Sequence, residues 1–207
     1  MKKYSPSEQS EKESIAHTVT SIMPMTDADL EIMFSILGRR QVKKKEFLLR
    51  KGEVCRNVYF VLNGFLRIYY LDQLNQEINY KFVDQGNFIV DFQSFLTHIP
   101  SRYYIQAMKD STVFVLSHKD IHANYAASHT WSNFGRLIAE GVFLEMNERI
   151  EMMLFMTPEQ RYEHLVKTKP SLIAQVPQRH LSTFLGIKPE SLSRLKKRLQ
   201  KRSWSIS

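Results

Sequence analysis

The spacing of apolar and polar residues changes along the chain and predicts helices at both ends with strands between them. From residue 47 to residue 116, short runs rich in Val, Ile, Phe and Tyr are broken by turn-forming pairs such as Asn63-Gly64. Short strands at this spacing, with Asn-Gly as a hairpin turn, predict an antiparallel barrel or sandwich. Helical spacing precedes them after Thr26 and follows them after Ser117. The pattern therefore predicts an α+β protein.

The longest predicted helix runs from about Trp131 to Phe155 and contains no proline. About 25 residues make a helix about 37 Å long, which is more than one small barrel needs to cover it. The excess length favours a seam with a second copy of the chain. Glu145 and Glu148 interrupt the apolar stripe, so a helix that packs only on its own barrel is the alternative.

A second change of pattern, at Thr157-Pro158-Glu159, predicts the start of another domain, because Pro and an acid are typical of the first turn of a helix. Further on, two apolar helical runs flank Gly186, at a position that tolerates left-handed dihedrals. Pro189 fits the first turn of the second run. This is the pattern of a helix-turn-helix, with Leu192 and Leu195 pointing inward.

Charge is concentrated in the same segment. The chain carries a net charge of +8, and residues 157–207 contain eleven basic and three acidic side chains, so they account for the whole excess. Residues 1–156 are balanced, which indicates two modules with different partners. An uneven solvated surface is the plainer explanation.

The outward face of the second run predicts contacts with double-stranded DNA. On a helix in the major groove, Arg194 would bind guanine through two hydrogen bonds, and Glu190 would accept from a cytosine amino group. Lys188, Lys197, Arg198 and Lys201 would neutralise phosphates, which provide affinity but little sequence information. Ser191 and Ser193 complete the face. A helical hairpin with a solvated basic face is the alternative.

Several classes of protein are disfavoured by the sequence. The single cysteine, Cys55, excludes an internal disulfide and a cysteine-ligated cluster, and it favours a reduced, cytoplasmic setting. Polar residues 1–21 predict a disordered tail, and no apolar run is long enough to span a membrane.

No nucleophile–base pair or phosphate loop is recognisable, so we expect no enzyme. His118 and His122 have metal-like i,i+4 spacing, but nothing completes a site, so no metal is predicted.

Two stretches of the sequence resemble motifs of a known protein family. The stretch GEVCRNVYFVLNGFLRIYY is similar to the start of a cyclic-nucleotide-binding β-roll, and VPQRHLSTFLGIKPESLSRLKKRL resembles the winged helix-turn-helix of Crp/Fnr-type transcription regulators. The likeness covers about residues 22–202. It implies a homodimer whose recognition helices enter the major groove at two half-sites of a near-palindromic site, with a ligand in the roll that shifts the DNA-binding domains.

The chain departs from the family at two places. Cyclic-nucleotide binders use a Gly-Glu pair and an Arg-Ser/Thr-Ala run, whereas this chain has Val90-Asp91 and then Ser101-Arg102-Tyr103-Tyr104. Asp91, Arg102 and Tyr103 are therefore candidate effector contacts in a degenerate cassette, and we expect another small molecule or none in place of cyclic AMP. Pro189 stands where well-known members carry an Arg, which leaves Glu190 and Arg194 as base readers.

These expectations combine into a division of the chain by function. We expect a β-roll effector domain over residues 22–130, a dimerisation helix over 131–156 and a helix-turn-helix domain over 157–207. The predicted function is a sequence-specific DNA-binding transcription regulator that acts as a homodimer without a bound cofactor. The competing hypothesis is a small-molecule-binding signalling module with a non-specific polyanion-binding tail.

Overall fold

Helices flank two small antiparallel sheets in this protein, for which a computed structural model describes residues 6–204. The first helices and strands are α1 (Pro6–Ile22), α2 (Asp27–Ile36), β1 (Gly38–Val42), β2 (Phe47–Leu49), β3 (Asn57–Asn63), β4 (Phe65–Leu71), β5 (Glu77–Asp84) and β6 (Phe88–Ile89). They are followed by α3 (Phe92–Thr97), β7 (Tyr104–Ala107), β8 (Ser111–Ser117), α4 (His118–Ala127), α5 (His129–Phe155), α6 (Pro158–Thr168), α7 (Pro170–Gln175), α8 (Gln178–Leu185) and α9 (Pro189–Trp204).

The strands form two four-stranded sheets, with the orders β1-β8-β3-β6 and β2-β7-β4-β5. The pairs β1–β8, β2–β7, β3–β6 and β3–β8 are antiparallel. This confirms the predicted antiparallel β-architecture between an N-terminal and a C-terminal group of helices. No helix among the described residues is both long enough and apolar enough to cross a membrane.

The Asn63-Gly64 pair does not make a hairpin turn, so that prediction is wrong. Strands β3 and β4 lie in different sheets, and Gly64 joins one sheet to the other at a φ of +123°. A Cβ atom at Gly64 would lie 2.1 Å from the Ser111 hydroxyl oxygen, far inside van der Waals contact. Glycine is needed here for a close approach to β8, and sequence spacing alone does not separate that use from a hairpin.

Helix starts follow the signals in the sequence. Thr26 and Asp29 form a reciprocal capping box before α2, and Thr157 and Gln160 do the same before α6. The Ser117 hydroxyl accepts from the Asp120 N–H at the start of α4. Each pairing satisfies backbone N–H groups that the first turn of a helix leaves without partners.

The N-terminal segment is helical from Pro6, and the predicted disordered tail is wrong for residues 6–21. Residues 1–5 lie outside the described chain. Ile15 and Val19, four residues apart in α1, are fully buried in a core with Met33, Phe60 and Trp131. The Glu11 carboxylate also accepts hydrogen bonds from Arg39, from Nε at 2.8 Å and 3.2 Å and from Nη2 at 2.9 Å. Tertiary packing of two residues outweighs the polar composition of the segment.

The chain divides into two compact units whose limits differ from the predicted domain boundaries. One unit combines residues up to Ile68 with Phe82–Val142, and the other combines Tyr69–Lys81 with the residues from Phe143 onward. The distal part of the β4–β5 hairpin therefore groups with helices α6–α9. In the second unit, the described residues 157–204 contain four helices and no strand, so the expected wing is not part of them.

Candidate nucleic-acid interface

A helix-turn-helix is built around Gly186. Helix α8 ends at this glycine, whose φ of +70° is left-handed, as the sequence predicts. The Gly186 N–H donates to the Thr183 carbonyl at 3.1 Å, and the Ile187 N–H donates to the Ser182 carbonyl at 3.0 Å. Helix α9 begins three residues later at Pro189. The turn thereby satisfies the last carbonyls of α8 while the chain changes direction.

Apolar side chains hold α8 and α9 together on one side. Leu181, Leu185 and Leu192 are fully buried and Leu195 is nearly so. Ser182 is buried as well, with its hydroxyl donating to the Arg179 carbonyl at 2.9 Å. The inward positions of Leu192 and Leu195 match the predicted ones, which leaves the remaining positions of α9 to face outward.

The predicted DNA contacts whose side chains are described lie on the outward part of the turn and α9. Exposed side chains are Lys188, Glu190, Arg194, Lys197 and Arg198, and half-buried ones are Ser191 and Ser193. Lys201 belongs to α9, but its side chain lies outside the described part of the chain. The structure therefore brings the candidate base readers and phosphate ligands onto one helix surface.

A pocket of about 350 Å³ opens on this surface. Its lining comes from α6, the turn and α9, and consists of Pro158, Ile187, Ser191, Arg194, Leu195 and Arg198. The Arg198 guanidinium donates through Nη2 to the Glu159 carboxylate at the start of α6. Two guanidinium groups and a hydroxyl at one pocket provide donors suited to an anion.

Two arginines, the half-buried Arg149 and the buried Arg161, hold the C-terminal end of α8. Arg149 of α5 donates to the Phe184 carbonyl, and its guanidinium lies 4.1 Å from the centre of the Phe184 ring. Arg161 of α6 donates to the Leu185 carbonyl at 2.7 Å. Positive charge is favoured there, because the last carbonyls of a helix form its negative end.

Placing these two positive charges close together and partly out of water costs free energy, however. Burial and the neighbouring Arg161 charge lower the pKa of Arg149 to about 10. Arg149 Nη1 and Arg161 Nε are buried without a hydrogen-bond partner among the described residues. In the sequence, an arginine that binds a helix end cannot be distinguished from one on the surface. The roles of Arg149 and Arg161 could therefore not be predicted from the sequence.

The distal β4–β5 hairpin supports the other side of α8. Asn79 of β5 is only 1% exposed, and its side-chain amide donates to the Thr183 hydroxyl at 2.9 Å. The same amide lies 3.4 Å from His180 Nδ1, and Glu77 approaches that ring nitrogen at 3.9 Å. Asn79 lies 104 residues before Thr183, so only the tertiary structure reveals it as a support of the helix-turn-helix.

An exposed apolar stripe runs along the C-terminal half of α5. Phe143, Met146, Ile150 and Leu154 are between 46% and 71% exposed in the single chain. The first three follow a spacing of three and four residues, which is typical of a coiled-coil seam. At 3.6 residues per turn, Glu145 and Glu148 lie on the opposite side of α5 from this stripe, so they do not interrupt it.

The predicted effector residues of the roll lie between β6 and β7. Asp91 is 7% exposed, with one carboxylate oxygen accepting from the Ser94 N–H at 3.3 Å and the other from the Ser101 hydroxyl at 2.6 Å. The carboxylate thus caps α3 and binds the loop before β7. Arg102 is exposed and Tyr103 is half-buried.

Three histidines cluster near the start of α4. The His118 ring centre lies 4.4 Å from that of His98 and 3.9 Å from that of His122. Burial lowers the pKa of His118, and His122, His98 and Arg56 lower it further. Within residues 6–204, no group of three or more His, Cys, Asp or Glu side chains is arranged to hold a metal ion.

Comparisons with known proteins cover both parts of the chain. Residues 39–127 match the family model of the cyclic nucleotide-binding domain. The structure of FixK2 from Bradyrhizobium japonicum is similar over 81% of this chain and 86% of that protein, with a TM-score of 0.69 and 16% identity. A search of the curated protein sequences gave no significant match.

Two further structures extend the fold comparison. A transcriptional regulator assigned to the Crp/Fnr family, from Eubacterium rectale, matches with a TM-score of 0.68 and 17% identity over 88% of both chains. The c-di-GMP-responsive regulator CLP from Xanthomonas campestris matches with a TM-score of 0.65 and 16% identity, over 86% of this chain and 93% of its own. At these identities the similarity establishes a shared fold.

Proposed function

We propose that the chain binds DNA sequence-specifically as a homodimer, because residues 39–127 match the family model of the cyclic nucleotide-binding domain and the chain shares the fold of Crp/Fnr transcription regulators. The observation that carries this proposal is the outward face of α9. Exposed Arg194, Lys197 and Arg198 stand opposite the buried Leu192 and Leu195. A cationic helix anchored by its apolar side is suited to the major groove.

Each residue of this face has a chemical role in the proposal. Arg194 and Glu190 read base edges, with Ser191 and Ser193 beside them. Lys188, Lys197, Arg198 and Lys201 bind phosphates. Arg149, Arg161 and Asn79 do not touch DNA in this proposal. They position α8, against which the recognition helix is packed.

Dimerisation belongs to the same proposal. The exposed stripe of Phe143, Met146 and Ile150 is apolar and has coiled-coil spacing, which supports a seam between two copies of α5. Two copies would present two recognition helices to successive major grooves, at half-sites about 34 Å apart. The target would then be a near-palindromic duplex.

The roll serves in this proposal as a domain that does not use the usual cyclic-nucleotide cassette. A cyclic nucleotide needs a free carboxylate for its ribose and an arginine for its phosphate. The Asp91 carboxylate already accepts from Ser94 and Ser101 inside the domain. We therefore expect calorimetry to show no heat of binding with cyclic AMP. The roll then binds another effector or serves as a scaffold for the dimer.

Selection of bound duplexes from a random pool tests the DNA-binding function. We expect a two-fold-symmetric consensus with the wild-type protein. Arg194→Ala should cost about 1–3 kcal/mol at one base pair of each half-site and relax the preference there. Lys197→Ala should weaken binding to all duplexes evenly and reduce the salt slope by about one.

The two variants also separate the competing function. If both weaken every duplex equally and no consensus emerges, the protein is a polyanion-binding module and not a sequence-specific regulator. Melting temperatures of the variants serve as the control, because both side chains are exposed and their removal should leave the fold intact.

A further inference from the structure

Arg198 is bound by an anionic group of the chain itself. Its Nη2 donates to Oε2 of Glu159, and the arginine and glutamate side chains are 55% and 23% exposed. Glu159 lies in the first turn of α6, just after the Thr157 cap. The pair therefore joins α6 to the outward face of α9, 39 residues further along the chain.

The pair stands at the edge of the pocket described above. Arg194 and Arg198 are one turn apart on α9, and Ser191 is one turn before Arg194. Ile187 and Leu195 contribute apolar parts of the lining. The volume of about 350 Å³ is larger than that of a tetrahedral anion, and both arginines are among the lining residues.

A carboxylate and a phosphate use the same part of an arginine. The guanidinium fork offers parallel N–H donors to either anion, with similar geometry. An Arg198 that donates to Glu159 has fewer donors left for a DNA phosphate, and the carboxylate also repels that phosphate. The two anions therefore compete for one cation.

We propose that Glu159 is an internal phosphate surrogate that occupies Arg198 until a DNA phosphate enters the pocket and takes its place. This inference rests on the proposed DNA-binding function and adds a residue that tunes its affinity. Glu159 makes no base contact in this scheme, so it lowers affinity for all sequences alike and leaves the preference unchanged.

The expected effect is moderate, because both side chains are partly exposed. Loss of an exposed ion pair corresponds to about a two- to fivefold change in an equilibrium constant. Glu159→Gln should therefore bind specific and random duplexes about two- to fivefold more tightly than the wild type. Its salt slope should steepen by up to about 0.9, since one more phosphate would be fully neutralised.

The experiment measures duplex affinity against salt concentration for the full chain, by fluorescence anisotropy with one consensus and one random duplex. The variants are Glu159→Gln, Arg198→Ala and the double variant. Glu163→Gln is the matched control, because Glu163 lies one turn along α6, carries the same charge and makes no ion pair with Arg198 among the described residues.

The proposal requires that Glu159→Gln gain affinity for both duplexes, that Glu163→Gln gain clearly less, and that the gain vanish when Arg198 is Ala. A loss of affinity in Glu159→Gln would overturn it, because the carboxylate would then be orienting Arg198 for DNA. A gain that persists in the double variant would also overturn it. If the wild type binds neither duplex, the proposed function itself fails.

Discussion

At the residue scale, Gly186 shows how one backbone angle shapes the recognition surface. Its φ of +70° is strained for any residue with a Cβ atom. An added Cβ would lie 2.8 Å from Met153 Cε and 3.0 Å from Arg161 Nη1. The residue therefore combines a conformational requirement, which the sequence pattern predicts, with a steric one, which it does not.

Gly186→Ala should lower the free energy of unfolding by at least about 1–2 kcal/mol, the cost of a left-handed residue with a side chain. Chemical denaturation of the full chain, followed together with duplex binding, measures the effect. Gly141→Ala is the matched control, since nothing lies within 4 Å of a Cβ there in the single chain. That change should stabilise α5 by about 0.5–1 kcal/mol. Equal effects of the two changes would contradict the assigned role of Gly186.

At the scale of the element, α1 shows how a polar segment becomes part of a core. Ile15 and Val19 are fully buried although most of their neighbours in the helix are charged or hydroxylated. Thr18 adds a hydrogen bond from its hydroxyl to the Gly86 carbonyl at 3.2 Å. A two-residue apolar stripe is too weak to predict a packed helix, because its partners are distant in sequence.

Ile15→Ala should destabilise the first unit by about 2–5 kcal/mol, because the substitution leaves a cavity beside Trp131 and Phe60. Thermal and urea unfolding give the change. Thr20→Ala, at an exposed position of the same helix, should stay within about 0.5 kcal/mol of the wild type. A neutral Ile15→Ala would mean that α1 does not pack on the core in solution.

At the scale of the whole molecule, the exposed stripe on α5 makes the second copy of the chain central to the proposed function. Phe143 and Ile150 are 68% and 53% exposed in one chain, which is unfavourable for apolar side chains unless they are covered. The charge excess after residue 157 lies beyond this stripe in the sequence. A dimer joined along α5 would bring two copies of this positively charged segment to one DNA site.

Ile150→Glu should convert a dimer into monomers, because the change places like charges opposite each other in an apolar seam. Light scattering after size-exclusion chromatography reports the mass, and duplex binding should fall in parallel. Glu151→Ala, at an exposed position beside the stripe, should remain dimeric. Should the wild type be monomeric at concentrations where it binds DNA, the dimer proposal would be wrong.

The sequence by itself determined features whose causes are local. Thr26, Ser117 and Thr157 start helices because their side chains accept from backbone N–H groups three residues further on. Gly186 and the spacing of Leu192 and Leu195 define a turn and an inward face within one short stretch. The charge asymmetry and the outward cations of α9 follow from the same local pattern.

The tertiary structure decided everything that depends on residues distant in the chain. It placed Asn79 against Thr183, Arg149 and Arg161 at the end of α8, and Glu159 on Arg198. It also buried Ile15 and used the Asp91 carboxylate inside the roll. Such contacts arise from packing and desolvation between separate segments. The spacing of apolar residues within one segment does not reveal them.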